Sequence, residues 1–141
     1  MKSFGNRLGA LLRGGEVLEL IGDVGAGKTT LTKGLAAGMG IDETIQSPTF
    51  TINRVYDAPD ERRLVHYDFY RLHDAGIMAN ELQEAVGDPS TVTVIEWAAL
   101  VESVLPDDRL SIAITSPTEM TRQVVVTPGG PTSQAIVEQL A

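Results

Sequence analysis

The chain has no cysteine in its 141 residues, so disulfides and thiolate zinc sites are excluded, which is compatible with a reducing cytoplasm. It also lacks a long apolar run. Hydrophobic residues make up 43% of it, yet none of its stretches approaches the roughly 20 residues of a membrane span. The short apolar pieces around Lys2 and Arg7 lack a signal-peptide core, and the expectation is a soluble, untargeted, cytoplasmic chain. Basic residues are scarce: 11 Lys and Arg face 19 Asp and Glu, a formal net charge of −8. Nucleic acid is bound mainly by cations that neutralise phosphates, so direct tight binding of RNA or DNA is not expected. Arg62-Arg63, the adjacent basic pair, reads as a solvated strand entrance. No internal repeat, low-complexity tract or linker divides the sequence, and its length suits a single domain over 1–141 with a core of its own.

What is present begins with Gly22-Asp23-Val24-Gly25-Ala26-Gly27-Lys28-Thr29, a match to G-x-x-x-x-G-K-S/T. The glycines let the backbone curl so that successive N–H groups point at an anionic oxygen, and the following helix adds its positive N-terminal end. Lys28 supplies a charge for the outer phosphates from a loop expected to be exposed and free of core contacts, and the Thr29 hydroxyl suits a magnesium ion. A glycine-rich turn with no ligand is the plainer alternative. Context favours the phosphate loop: Val17-Leu18-Glu19-Leu20-Ile21 reads as a strand before it, and Leu31, Leu35 and Met39 recur at helical spacing after it.

Phe4, Leu8, Leu11 and Leu12 share one helical face that Gly14-Gly15 terminates, which predicts a short amphipathic helix ahead of the first strand. The helix after the loop is expected to end near Gly38 to Gly40. Thr51 to Tyr56 alternates like a strand, Asp57 to Glu61 is a turn, and Arg63 to Tyr70 is the expected hairpin mate. Gly76 and Gly87 interrupt the segment from Asp74 to Asp88, predicting short helical pieces rather than one rod. Thr91 to Ile95 is a strand ending on Glu96-Trp97, and Ala98 to Leu105 a short helix stopped by Pro106. Strands over Arg109 to Thr115 and Arg122 to Thr127 and a terminal helix from Pro131 to Ala141 complete an α/β chain.

A nucleotide site of this type needs a carboxylate near magnesium and a group that orients the attacking water. Asp68 and Glu96 qualify, each closing an apolar strand, although either also reads as an ordinary solvent-facing strand end. Thr49, next to the stiff Pro48, suits a switch-type hydroxyl that joins the magnesium shell when the outer phosphate is present; a capped turn is the other reading. Arg71 is placed to offset developing charge and Trp97 to stack on a base or a partner, against a plain salt bridge and a core-edge tryptophan. His66 and His73 read as packing or surface residues, because no second ligand stands at metal spacing.

Taken together, Gly22 to Thr30, Ser47-Pro48-Thr49-Phe50, His66-Tyr67-Asp68-Phe69-Tyr70-Arg71-Leu72, Ile95-Glu96-Trp97 and Leu105-Pro106 stand in the order seen in the TsaE (YjeE) family, which the chain resembles from about Gly5 to its last strand. That family is the bacterial ATPase needed to form N6-threonylcarbamoyladenosine next to the anticodon of transfer RNA. The resemblance implies a P-loop NTPase-type, three-layer α/β domain with a mixed parallel and antiparallel sheet, and ATP and Mg2+ as cofactors. It implies that Asp23, Val24, Gly25, Ala26, Gly27, Lys28, Thr29 and Thr30 hold the nucleotide, that Thr29 and Glu96 approach magnesium, and that Thr49 and Asp68 complete the catalytic surroundings. The implied partners are the TsaD-type and TsaB-type proteins, with hydrolysis slow in isolation.

Two other functions fit a phosphate loop. A small-molecule kinase generally needs an arginine-bearing lid, and the arginines here are dispersed. A guanine-nucleotide switch or nucleotide sensor is the other, and no N-K-x-D stretch for guanine is present.

Overall fold

The computed structural model describes residues 1–23, 27–43, 45, 53–70 and 76–140. Val24, Gly25, Ala26, Thr49, Arg71 and His73 therefore lie outside the described residues.

In chain order the elements are α1 (Lys2–Leu11), β1 (Val17–Ile21), α2 (Lys28–Gly38), β2 (Asn53–Asp57), β3 (Arg63–Asp68), α3 (Gly76–Gly87), β4 (Thr91–Glu96), a 3-10 helix (Ala98–Val104), β5 (Leu110–Thr118), β6 (Thr121–Pro128) and α4 (Pro131–Leu140). The strands make one six-stranded sheet in the order β2-β3-β4-β1-β5-β6. Its four central strands are parallel, and β2 and β6 are antiparallel edges. This is the mixed sheet of a three-layer α/β architecture. Central parallel strands are covered on both faces and so read as unbroken apolar runs. Every residue of β4 is buried, as that rule requires.

Alternation along the strands divides the core. Leu18, Leu20, Leu64, Val92, Val94 and Ile112 pack with Leu8, Leu31, Leu35 and Ile136 of α1, α2 and α4. Val17, Val65, Tyr67 and Ile95 pack on the other face with Leu82 of α3 and Ala98 and Val101 of the 3-10 helix. The chain leaves β1 into α2 on the first face and leaves β4 into the 3-10 helix on the second. β1 and β4 are neighbours, so the two exits diverge at their carboxyl ends and open a crevice there.

α2 is held over the sheet by an unusually close crossing with α1. A Cβ added at Gly5 or Gly9 would collide with the carbonyl oxygen of Leu31 or Leu35, and one at Gly34 or Gly38 with that of Lys2 or Asn6. The two helices thus touch backbone to backbone through four glycines. That contact explains glycines in helix interiors, where each costs about 1 kcal/mol relative to alanine.

Two expectations change. The segment predicted as broken helical pieces is a single 12-residue helix, α3. Its glycines sit at the ends rather than inside: Gly76 opens the helix with φ 43° and Gly87 closes it. Helix-breaking residues at the caps delimit a helix instead of dividing it. The segment after Trp97 is helical as expected, but in the tighter 3-10 form.

The glycine crossing makes a stability prediction. Gly9→Ala should lower the unfolding free energy by about 1–3 kcal/mol in urea titration, the usual cost of overpacking a tight contact. Gly87→Ala, whose added Cβ meets nothing within 4 Å, should be tolerated far better.

Candidate functional site

The crevice is built from four ends: the carboxyl ends of β1, β3 and β4, and the amino end of α2. Gly27 caps α2 with φ 110°, a left-handed backbone that a side chain would strain, and Lys28 is the first helical residue. Starting the helix there leaves its first N–H groups without intrahelical partners and aims them into the crevice. Thr29 is half-buried on this first turn, and Thr30 and Asp23 are exposed. Opposite them, Asp68 and Glu96 are register partners at the ends of the parallel strands β3 and β4, so the two carboxylates share a face. Leu20 of β1 is Glu96's register partner on the other side, which makes this the α2 face of the sheet.

Lys28 and Glu96 are only 6% and 4% exposed. Lys28 Nζ lies 3.5 Å from Glu96 Oε1, donates to the Gly22 carbonyl at 2.7 Å, and stands 4.4 Å from the centroid of the Trp97 ring. A buried ammonium needs such company, since desolvation without partners costs far more than a paired charge returns. The Trp97 backbone is left-handed, with φ 59°, immediately after Glu96. For a bulky residue that conformation is strained, and it turns the chain off β4 so that the indole covers Lys28. Tyr70 also packs on Trp97, with ring centroids 4.8 Å apart. The Tyr70 N–H donates to Asp68 Oδ1 at 2.9 Å, fixing that carboxylate at the strand end. A cavity of about 230 Å³, lined by Leu20, Ile21, Gly22, Lys28, Trp97 and Ala98 among others, opens beside the ammonium.

The family model for the Threonylcarbamoyl adenosine biosynthesis protein TsaE matches residues 1–124. The chain belongs to the TsaE family. The tRNA threonylcarbamoyladenosine biosynthesis protein TsaE of Bacillus subtilis is 37% identical over 142 residues, covering 99% of this chain and 87% of that protein. Its namesake in Streptomyces coelicolor is 42% identical over 81% of this chain and 78% of its own length. The Treponema pallidum protein of that name is 39% identical over 87% and 90%. Among solved structures, the crystal structure of Bacillus subtilis YdiB superposes with a TM-score of 0.80 at 35% identity, covering 99% of this chain and 85% of that one. The family is one of threonylcarbamoyladenosine biosynthesis in tRNA, and the match to YdiB agrees with the P-loop-type fold.

Of the residues singled out in the sequence, this TsaE-family site brings together Lys28, Glu96, Trp97, Asp68 and Thr29. Thr49, Val24, Gly25 and Ala26 fall outside the described residues. Lys28 itself differs from expectation, because its side chain is buried against Glu96 and Gly22 rather than exposed on a loop. His66 also differs. It is fully buried, and its Nε2 lies 2.5 Å from Glu96 Oε2. Metal-ligand spacing was the wrong signal to look for; the useful one is that a residue two before Asp68 on a strand must share its face. Among the described residues no helix is long and apolar enough to cross a membrane.

The buried pair predicts a stability effect at Lys28. Lys28→Ala should destabilise the nucleotide-free protein by about 1–3 kcal/mol, because it leaves a buried charged acceptor short of a partner. In a Glu96→Gln background the same change should cost less, a coupling that a double-mutant cycle in chemical denaturation measures.

Proposed function

We propose that this chain is the magnesium-dependent, ATP-binding and ATP-hydrolysing member of the machinery that forms N6-threonylcarbamoyladenosine in tRNA, working in the cytoplasm on TsaD-type and TsaB-type proteins rather than gripping tRNA itself. The observation that carries this reading is the Lys28–Glu96 contact, which joins the amino end of α2 to the carboxyl end of β4 across the crevice.

The groups present fit magnesium in kind. Thr29 on α2 and, across the crevice, Asp68 and Glu96 offer hard oxygen donors, the donors this ion takes. Among the described residues no group of three His, Cys, Asp or Glu forms a metal cluster. That suits an ion held by one or two carboxylates together with nucleotide phosphates rather than by an all-protein cage. Magnesium, when bound, neutralises charge on the transferring phosphoryl group.

The protein's own residues do the rest. The first N–H groups of α2 receive phosphate oxygens, and Lys28 exchanges Glu96 and the Gly22 carbonyl for the outer phosphates. That exchange would free Glu96 Oε1 to serve as a metal ligand. Asp68, held by the Tyr70 N–H, keeps a carboxylate beside it for metal or water. Thr49 adds its hydroxyl when the outer phosphate is bound, and Trp97 stacks on a base or on a partner. A net charge of −8 disfavours direct capture of RNA, so the tRNA is held by the other proteins.

Steady-state kinetics with ATP and Mg2+ should show slow hydrolysis. Glu96→Ala should lower kcat by about 100-fold or more, as removal of a charge-stabilising group does, while ADP affinity changes much less. Mixed with TsaD-type and TsaB-type proteins from the same genome and with tRNA, the chain should support repeated rounds of modification. Multiple turnovers without it, or parental hydrolysis by Glu96→Ala, would refute the reading.

A further inference from the structure

His66 contributes nothing to the nucleotide site by its position in the motif, yet it is fully buried in the sheet beneath it. It stands opposite Val94 in the parallel β3–β4 register, with Asp68 opposite Glu96 two residues further on. All four side chains face α2, and the imidazole reaches diagonally across the strand pair to Glu96, with Nε2 to Oε2 at 2.5 Å. A carboxylate only accepts hydrogen bonds, so the imidazole must carry a proton on Nε2. The Nδ1 atom is buried and has no hydrogen-bond partner among the described residues. A ring placed for packing alone would not orient its single satisfied nitrogen on an acid.

We propose that His66 is a positioning residue for Glu96, holding Oε2 so that Oε1 alone is presented to the crevice. The proposal rests on the reading of Glu96 as a metal-side carboxylate. The two oxygens have different partners: Oε2 faces His66 from within the sheet, and Oε1 faces Lys28 Nζ at 3.5 Å from the crevice side. When Lys28 turns to phosphate, Oε1 loses its partner and Oε2 does not. A free carboxylate would rotate about its last bond to offer either oxygen or both, whereas one tethered at Oε2 offers a single atom in a fixed direction. Hydrogen bonds of this kind to a ligating group commonly alter metal affinity 10- to 100-fold.

The test compares His66→Leu, which fills space without a donor, with His66→Gln, whose amide N–H reaches about as far as Nε2. The reading is the Mg2+ concentration that half-saturates the metal-dependent gain in ADP affinity, followed by calorimetry. His66→Leu should raise that concentration about 10- to 100-fold and leave metal-free ADP affinity unchanged, with His66→Gln close to the parent. A merely structural role would weaken metal-free and metal-dependent binding together. If His66→Leu does not fold, His66→Asn replaces it, since its amide is too short to reach Oε2. A parental Mg2+ requirement in the donor-less or short variant, or no restoration by His66→Gln, overturns the proposal. Nitrogen-15 NMR of the histidine side chains, on nucleotide-free protein, separates this from the functional reading. It should show a proton on His66 Nε2 whose resonance shifts in Glu96→Ala. A ring protonated on Nδ1 alone overturns the tether even if ADP binding shows full magnesium dependence. A parent with no such dependence refutes the proposed function while the tautomer still decides the contact.

Discussion

A carboxylate buried at the end of a central strand constrains everything around it. The effective desolvation penalty for one ion is several kcal/mol, so Glu96 persists only if both of its oxygens are met. One partner, His66, comes from β3 and requires the in-phase register that sets Asp68 beside Glu96. The other, Lys28, comes from the first turn of α2 and requires that helix to begin at Gly27 and nowhere else. The strained turn at Trp97 then closes the arrangement from above, trading backbone energy for an aromatic face over the ammonium. Strand register, helix start and backbone strain are three separate features, and one buried charge ties them together.

Placing the amino end of α2 to within hydrogen-bonding tolerance needs a rigid support, and the glycine crossing supplies it. Side chains packed between helices leave room for rotamer adjustment, whereas backbone against backbone at Gly5, Gly9, Gly34 and Gly38 leaves little. α1 therefore acts as a fixed rail along which α2 lies. Leu8 of that rail and Leu12 just after it also reach into the sheet core, so displacement of α2 would disturb the packing of Leu18 and Leu20. Support and site are mechanically continuous.

The sequence made the strands legible where burial imposed a pattern. Val17–Ile21 and Thr91–Glu96 are rich in apolar residues because parallel strands are covered twice, and both occur where the apolar runs place them. Phosphate-loop glycines stood out for a similar reason, since the constraint there acts on the local backbone. Long-range effects were hidden. The embedding of Lys28 depends on Glu96, which lies 68 positions away in sequence, and no local rule about loops anticipates it. The α3 glycines read as breaks in the sequence because propensity alone does not say whether a glycine sits inside a helix or at its end. The sequence reads His66 only as a packing or surface residue, because a metal-spacing rule asks about neighbours along the chain, whereas its partner is across the sheet.

The Lys28–Glu96 pair has a thermodynamic consequence for the proposed chemistry. A phosphate that takes Lys28 must first displace Glu96 and the Gly22 carbonyl, so the affinity gained is the difference between two charged contacts rather than the whole of one. The same displacement strips Glu96 of a cation and leaves a buried carboxylate in deficit. On the proposed function, a metal ion held by Glu96 would restore positive charge to that carboxylate. On that reading phosphate and metal would be coupled through Glu96, each favouring the other's binding, and by linkage equally in both directions. Neither ligand alone satisfies both Lys28 and Glu96. A nucleotide bound with its ion would satisfy both, so a pair that closes the site on itself would also select the complete ligand over its parts.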